Sequence, residues 1–160
     1  MSRVQLNKRF KDFPINPINS PTMDPTNAQL RRILQSCRTI AVVGISDKPE
    51  RPSHGVARYL QGAGYRVLPV NPLLAGQMVL GQACVARLQD LQEPVDIVDV
   101  FRKTEDVMPV AEEAVAIGAK ALWQQLGIAN AQADALARSA GLVSVMNRCL
   151  KVEHARVMRM

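Results

Sequence analysis

Aromatic side chains are scarce in this chain: three Phe, two Tyr and one Trp among 160 residues. Proteins that grip single-stranded nucleic acid stack bases on aromatic rings and follow the backbone with a dense basic groove. Here the net charge of +6 is spread thinly. Much of the excess sits at the two ends, in Arg3, Lys8, Arg9 and Lys11 and again in Arg148, Lys151, Arg156 and Arg159. Nucleic acid is therefore not an expected partner. Cysteine is also rare. Cys37, Cys84 and Cys149 are odd in number and lack any short metal-type spacing, which argues against both a disulfide framework and a metal site. Reduced, mostly buried thiols in a cytoplasmic protein are expected. No apolar run approaches the roughly 20 residues that cross a bilayer, so no membrane partner is expected. The basic stretch from Met1 to Phe13 leads into no apolar segment of the kind a secretory signal needs.

What is present is a core. Hydrophobic residues make up 48% of the chain, enough for one folded domain. Residues 1–25, with Pro14, Pro17, Pro21 and Pro25, read as an extended arm. From residue 26 to 160, helix and strand signals alternate. Thr26-Asn-Ala-Gln29 matches a capping box, and Leu30, Ile33, Leu34 and Cys37 follow at helical spacing. Strands are expected at 40–43, 65–70, 95–101, 119–123 and 142–145, with a weaker one at 77–80. Between them, helices begin at Ser53 (read as the cap), near Thr104–Asp106, at Asn130 and near Cys149. The helix after Asn130 is expected to bury Ala133, Leu136, Ala137 and Ala140. Such alternation predicts an α/β fold: a doubly wound, mainly parallel sheet of Rossmann type with helices on both faces. Ligands then bind at the carboxyl ends of the strands, which selects the loops 44–53, 71–75, 101–104 and 124–127.

The first of these loops holds the strongest signal. An apolar, β-branched run stops at Gly44; Ser46, Lys48 and Arg51 follow; Pro52-Ser53 opens a helix. Free backbone N–H groups and the positive end of a helix dipole converge there on an anion. Lys48 adds a point charge and Arg51 a bidentate donor. The usual G-x-G-x-x-G is missing, and the second strand ends in Val70-Asn71-Pro72 with no acid for ribose hydroxyls. NAD recognition is weakened, NADP is not excluded, and the residues alone reach as far as a phosphate-rich nucleotide.

Four segments extend the reading: Val43-Gly-Ile-Ser-Asp-Lys-Pro-Glu-Arg-Pro-Ser53, Pro69-Val-Asn-Pro72, Val95-Asp-Ile-Val-Asp-Val-Phe-Arg102 and Trp123-Gln-Gln-Leu-Gly127. Together with the ending Asn147-Arg-Cys-Leu-Lys-Val-Glu-His154, they resemble the small stand-alone CoA-binding proteins, whose domain is similar to the N-terminal domain of the succinyl-CoA synthetase alpha subunit. The resemblance implies coenzyme A or an acyl-CoA as cofactor. It places Gly44, Ile45, Ser46, Arg51, Pro52 and Ser53 at its phosphates and pantetheine. Val70, Asn71 and Pro72 would border the adenosine, and Phe101 and Arg102 the fourth main strand's end. Gln125 is expected to face the pantetheine arm. The family often has an aromatic residue at the position of His54, which argues against proton transfer there.

No catalytic constellation accompanies this cradle. Cys149 and His154 stand five apart, but no third group orients the histidine, so a buried thiol and a surface imidazole are expected. Trp123 is expected in the core. The reading that follows is a non-catalytic CoA or acyl-CoA binder acting as sensor, carrier or regulatory module. Two alternatives stay open: a subunit of an acyl-CoA ligase or transferase completed by a partner chain, and an NAD(P)-binding redox protein. A homodimer is a further expectation, from apolar surface on the weak C-terminal helix.

Overall fold

The first helix begins where its capping residues place it. In the computed structural model, which describes residues 24–160, α1 (Asn27–Ser36) starts with a reciprocal box. The Gln29 amide donates to Thr26 Oγ1 at 3.1 Å, and the Thr26 amide donates to Gln29 Oε1 at 2.7 Å. Such a cap stabilises a helix by about 1 kcal/mol. Nearly all of the arm read at 1–25 lies outside the described residues; Asp24, at its end, pairs with Arg148.

After α1 the chain runs through β1 (Thr39–Val43), α2 (Pro52–Gly62), β2 (Arg66–Val70), β3 (Met78–Val79), β4 (Gln82–Ala83), β5 (Ile97–Val100), α3 (Val107–Ala116), β6 (Ala121–Gln124), α4 (Ala131–Ser139), β7 (Val143–Val145) and α5 (Leu150–Met158). Five strands form one sheet in the order β2-β1-β5-β6-β7, and every neighbouring pair is parallel. Successive side chains along a strand point to opposite faces, and both faces are covered. Ile40, Val42, Ile97 and Trp123 pack with Leu30 and Leu34 of α1, Val56, Ala57 and Leu60 of α2, and Leu150 and Val157 of α5. Ala41, Val43, Val98, Val100 and Leu122 pack with Val107, Val110, Ala111 and Ala114 of α3 and Ala133 and Ala137 of α4. The expected Rossmann-type architecture is present.

The chain leaves β1 toward β2 on one side, while β5 lies on the other. That reversal makes the carboxyl ends of β1 and β5 the switch point, where an open α/β sheet forms a crevice.

Local expectations needed five corrections. The weak strand at 77–80 exists but lies outside the main sheet. It is β3, paired antiparallel with β4 around Leu80 and Gly81, whose φ values of 52 and 83 are those a two-residue hairpin turn requires. Ser53 is not the cap of α2; Arg51 holds that position and Pro52 the first turn, where a missing N–H costs nothing. Ala140 is exposed beyond the end of α4, because the helix stops at Ser139. His154 is no surface imidazole: it is half-buried in α5, with Nδ1 2.8 Å from the Tyr59 hydroxyl, and burial lowers its pKa. Cys149 likewise is half-buried, unlike Cys37 and Cys84.

Candidate functional site

Gly44 ends β1 at φ 88, a conformation open to glycine and strained for other residues. A Cβ there would stand 2.0 Å from the Phe101 carbonyl oxygen, so the two strand ends at the switch point touch because one of them lacks a side chain. Gly44 N–H donates to Val70 O and Phe101 N–H to Val43 O, both at 2.8 Å, which locks the three strand ends together.

Beyond Gly44 the loop is held by its own serines. Ser53 Oγ, spared from capping, accepts the Ser46 N–H at 2.9 Å, and Ser46 Oγ accepts the Lys48 N–H at 3.0 Å. Asn71 Nδ2 donates to Ile45 O at 2.8 Å, while Asn71 Oδ1 accepts the Leu73 N–H at 2.9 Å. The buried Asn71 therefore ties the end of β2 to the loop after β1 and shapes its own turn as well. The N–H groups of Ile45, Asp47 and Ser53 find no acceptor among the described residues.

These contacts enclose a cleft of about 420 Å³. Of the residues expected in the site, Gly44, Ile45, Ser46, Lys48, Arg51, Pro52, Ser53, Asn71 and Phe101 line it. Lys48 and Arg51 are exposed, and neither makes an ion pair among the described residues. Asp47, Leu73 and Leu74 also line the cleft and were missed. Leu73 is 83% exposed, an apolar side chain left beside a polar loop. An apolar pair directly after Asn71-Pro72 was the available signal.

The other expected residues lie elsewhere. Val70 is buried within β2 and serves the site through its carbonyl. Pro72 opens a short 3₁₀ turn at 72–74, and Arg102 is half-buried outside the lining. Gln125 needs correcting: it is 3% exposed, and its Oε1 accepts the Leu150 N–H at 2.9 Å. Its amide caps the start of α5 rather than facing the cleft. Trp123, as expected, is core; its Nε1–H donates to the Arg148 carbonyl at 2.8 Å.

A family model for the CoA-binding domain matches residues 38–155. The chain belongs to the CoA-binding domain family. The family match spans all five strands of the sheet and the whole cleft. The Bacillus subtilis protein YneT, itself uncharacterised, is 41% identical over 132 residues, covering 82% of this chain and 96% of that one. A solved Thermus thermophilus protein, cell-free ID.343, is 44% identical with a TM-score of 0.80, covering 83% of this chain and 99% of the other. The same fold recurs in a dinucleotide-forming acetyl-coenzyme A synthetase of Ca. Korarchaeum cryptofilum, solved with phosphate and ADP. There the TM-score is 0.60 at 23% identity, over 74% of this chain and 27% of the synthetase. Among the described residues, no helix is long and apolar enough to cross a membrane.

Proposed function

We propose that this protein binds coenzyme A or an acyl-CoA without transforming it, as a cytoplasmic sensor, carrier or regulatory module. The observation that carries this reading is the cleft at the switch point. There Gly44 removes a side chain, N–H groups of the loop and of the α2 first turn lack acceptors, and Lys48 and Arg51 make no ion pair among the described residues. Helix N-termini and such loops are ready-made sites for phosphate oxygens. The pyrophosphate lies over Gly44 to Ser53, the adenosine beside Asn71 and Leu73, and the pantetheine arm past Phe101. Asp47 on the same rim opposes excess negative charge and sets a limit on how tightly phosphates are held.

Titration calorimetry with CoA, dephospho-CoA, NAD and NADP tests the assignment. Heat is expected with CoA, less with dephospho-CoA and none with the two nicotinamide dinucleotides; equal or absent heats for all four refute it. The paired substitution Ser46→Asp, Arg51→Glu is expected to abolish the CoA signal. One like-charge contact at about 4 Å costs roughly 4 kcal/mol at an effective dielectric of about 20. Recovery of a stoichiometric ATP-grasp chain with the protein from native extract would replace this reading with that of a ligase subunit.

A further inference from the structure

Among the described residues, three buried side-chain polar atoms have no hydrogen-bond partner: Nδ1 of His54 and both carboxyl oxygens of Asp99. Buried polar atoms are nearly always paired, so orphans need an explanation. All three lie in one layer. Asp99 stands in β5 in register with Val42 of β1 and Trp123 of β6, and both neighbours belong to the core beneath α1, α2 and α5. His54 is in the first turn of α2, three residues before Ala57, which is wholly buried in that same core. Residues three apart share a helix face.

Both groups are close in sequence to residues that line the cleft. His54 follows Ser53, and Asp99 precedes Phe101 by two positions; Phe101 packs against the same core. The backbone around His54 is the frame of the cradle. Arg51, at the cap position of α2, has no side-chain cap of its own. Its carbonyl instead accepts the N–H groups of His54 and Gly55, each at 3.1 Å. A shift of His54 therefore moves Arg51 directly.

We propose that Asp99 and His54 are positioning residues for the cradle: the Asp99 carboxyl donates a hydrogen bond to Nδ1 of His54 and so holds the turn 51–54 against the central strand. The bond requires side-chain torsions that bring the two orphans together, and the imidazole then keeps its own hydrogen on Nε2. Burial pushes the Asp99 carboxyl well above the ordinary carboxylate range, which leaves it the hydrogen it donates. Two orphaned groups of complementary chemistry are thereby satisfied by one bond. The role in the cradle rests on the reading that the cleft holds the phosphates of CoA.

Long-range ¹H–¹⁵N correlation spectra of the full chain report the His54 tautomer. The expected result is hydrogen on Nε2 and an Nδ1 resonance displaced by hydrogen bonding, the displacement disappearing in Asp99→Leu. Hydrogen on Nδ1, or a spectrum indifferent to Asp99→Leu, overturns the pair; should that variant not fold, the wild-type spectrum decides alone. In CoA titrations, Asp99→Leu and His54→Phe are each expected to weaken affinity about tenfold, and the double variant no further, because both break one bond. The double variant, which leaves no orphan, is expected to melt no lower than wild type. Full affinity in either single variant, or losses that add, overturns the role. Absence of CoA heat in the wild type removes the ligand reading and the cradle role together, while the tautomer still decides the pair.

Discussion

Asp134 and Asp99 are both wholly buried, and the fold treats them in opposite ways. On the α3–α4 side of the sheet, Asp134 of α4 accepts the Ser144 hydroxyl at 2.5 Å on one oxygen and Arg138 Nε at 2.9 Å on the other. Arg138 closes the ring by donating to the Ser144 carbonyl at 3.1 Å. On the opposite side, Asp99 accepts and donates nothing among the described residues. Depth alone therefore says little about what a carboxylate does. A closed network is an element of the fold, whereas an unpaired acid set among apolar neighbours burdens the fold and calls for another explanation.

The largest effect expected from this contrast falls on the closed network. Asp134→Ala leaves the Arg138 guanidinium with its side chain only 16% exposed and its carboxylate gone. Removing one partner of a buried pair costs about 3–5 kcal/mol. Urea unfolding is expected to show that loss, with CoA heats unchanged in the protein that remains folded. A loss below about 1 kcal/mol would place Asp134 in the same category as Asp99 and dissolve the comparison.

Asp134 and Asp99 were equally silent in the sequence, and the reason is physical. Periodicity reports which face a residue occupies, so the sheet, both core layers and the capping box at Thr26 were legible. The glycine turn was legible too, since an apolar run ending at Gly44 has few other meanings. Partner choice between elements is a tertiary property. Ser53 reads as a helix cap because serine commonly caps, but with Arg51 and Pro52 opening the helix its hydroxyl turns to Ser46. The place of Gln125 at a strand end suggests the cleft, whereas the start of α5 takes its amide. Met78–Val79 and Gln82–Ala83 carry so few residues that only the positive φ at Leu80 and Gly81 marks them as a hairpin.

A smaller and opposite effect is expected at Asp99. Its folded-state pKa is raised by burial, so at a given pH above the ordinary value of 3.8 the native chain binds more protons here than the unfolded chain. Stability contributed at this position is thus present in acid and lost as pH rises from about that value toward the raised one. Asp99→Leu removes the term. Its stability relative to wild type is expected to be lowest near pH 4 and to climb steadily on going to pH 7, read by urea unfolding at each pH. Taking the difference between variant and wild type cancels the opposing contributions of Asp96, lowered by backbone hydrogen bonds and Lys120 against its desolvation, and of His154, lowered by burial. A difference that stays flat with pH would mean that Asp99 is ionised in the fold and has a partner of its own.

The finest test divides the closed network. Ser144→Ala removes one hydrogen bond to Asp134 but leaves the Arg138 ion pair, which neutralises the carboxylate. A net loss of about 1 kcal/mol is expected, the ordinary worth of one hydrogen bond. The value matters because it says which partner makes Asp134 tolerable at full burial. A loss as large as that of Asp134→Ala would assign that work to the serine hydroxyl, and an apolar neighbour with one suitable hydroxyl would then have sufficed for Asp99 as well. A loss near 1 kcal/mol assigns it to the guanidinium. No cation is paired with Asp99 among the described residues, so the uncharged form of its carboxyl becomes the necessary one.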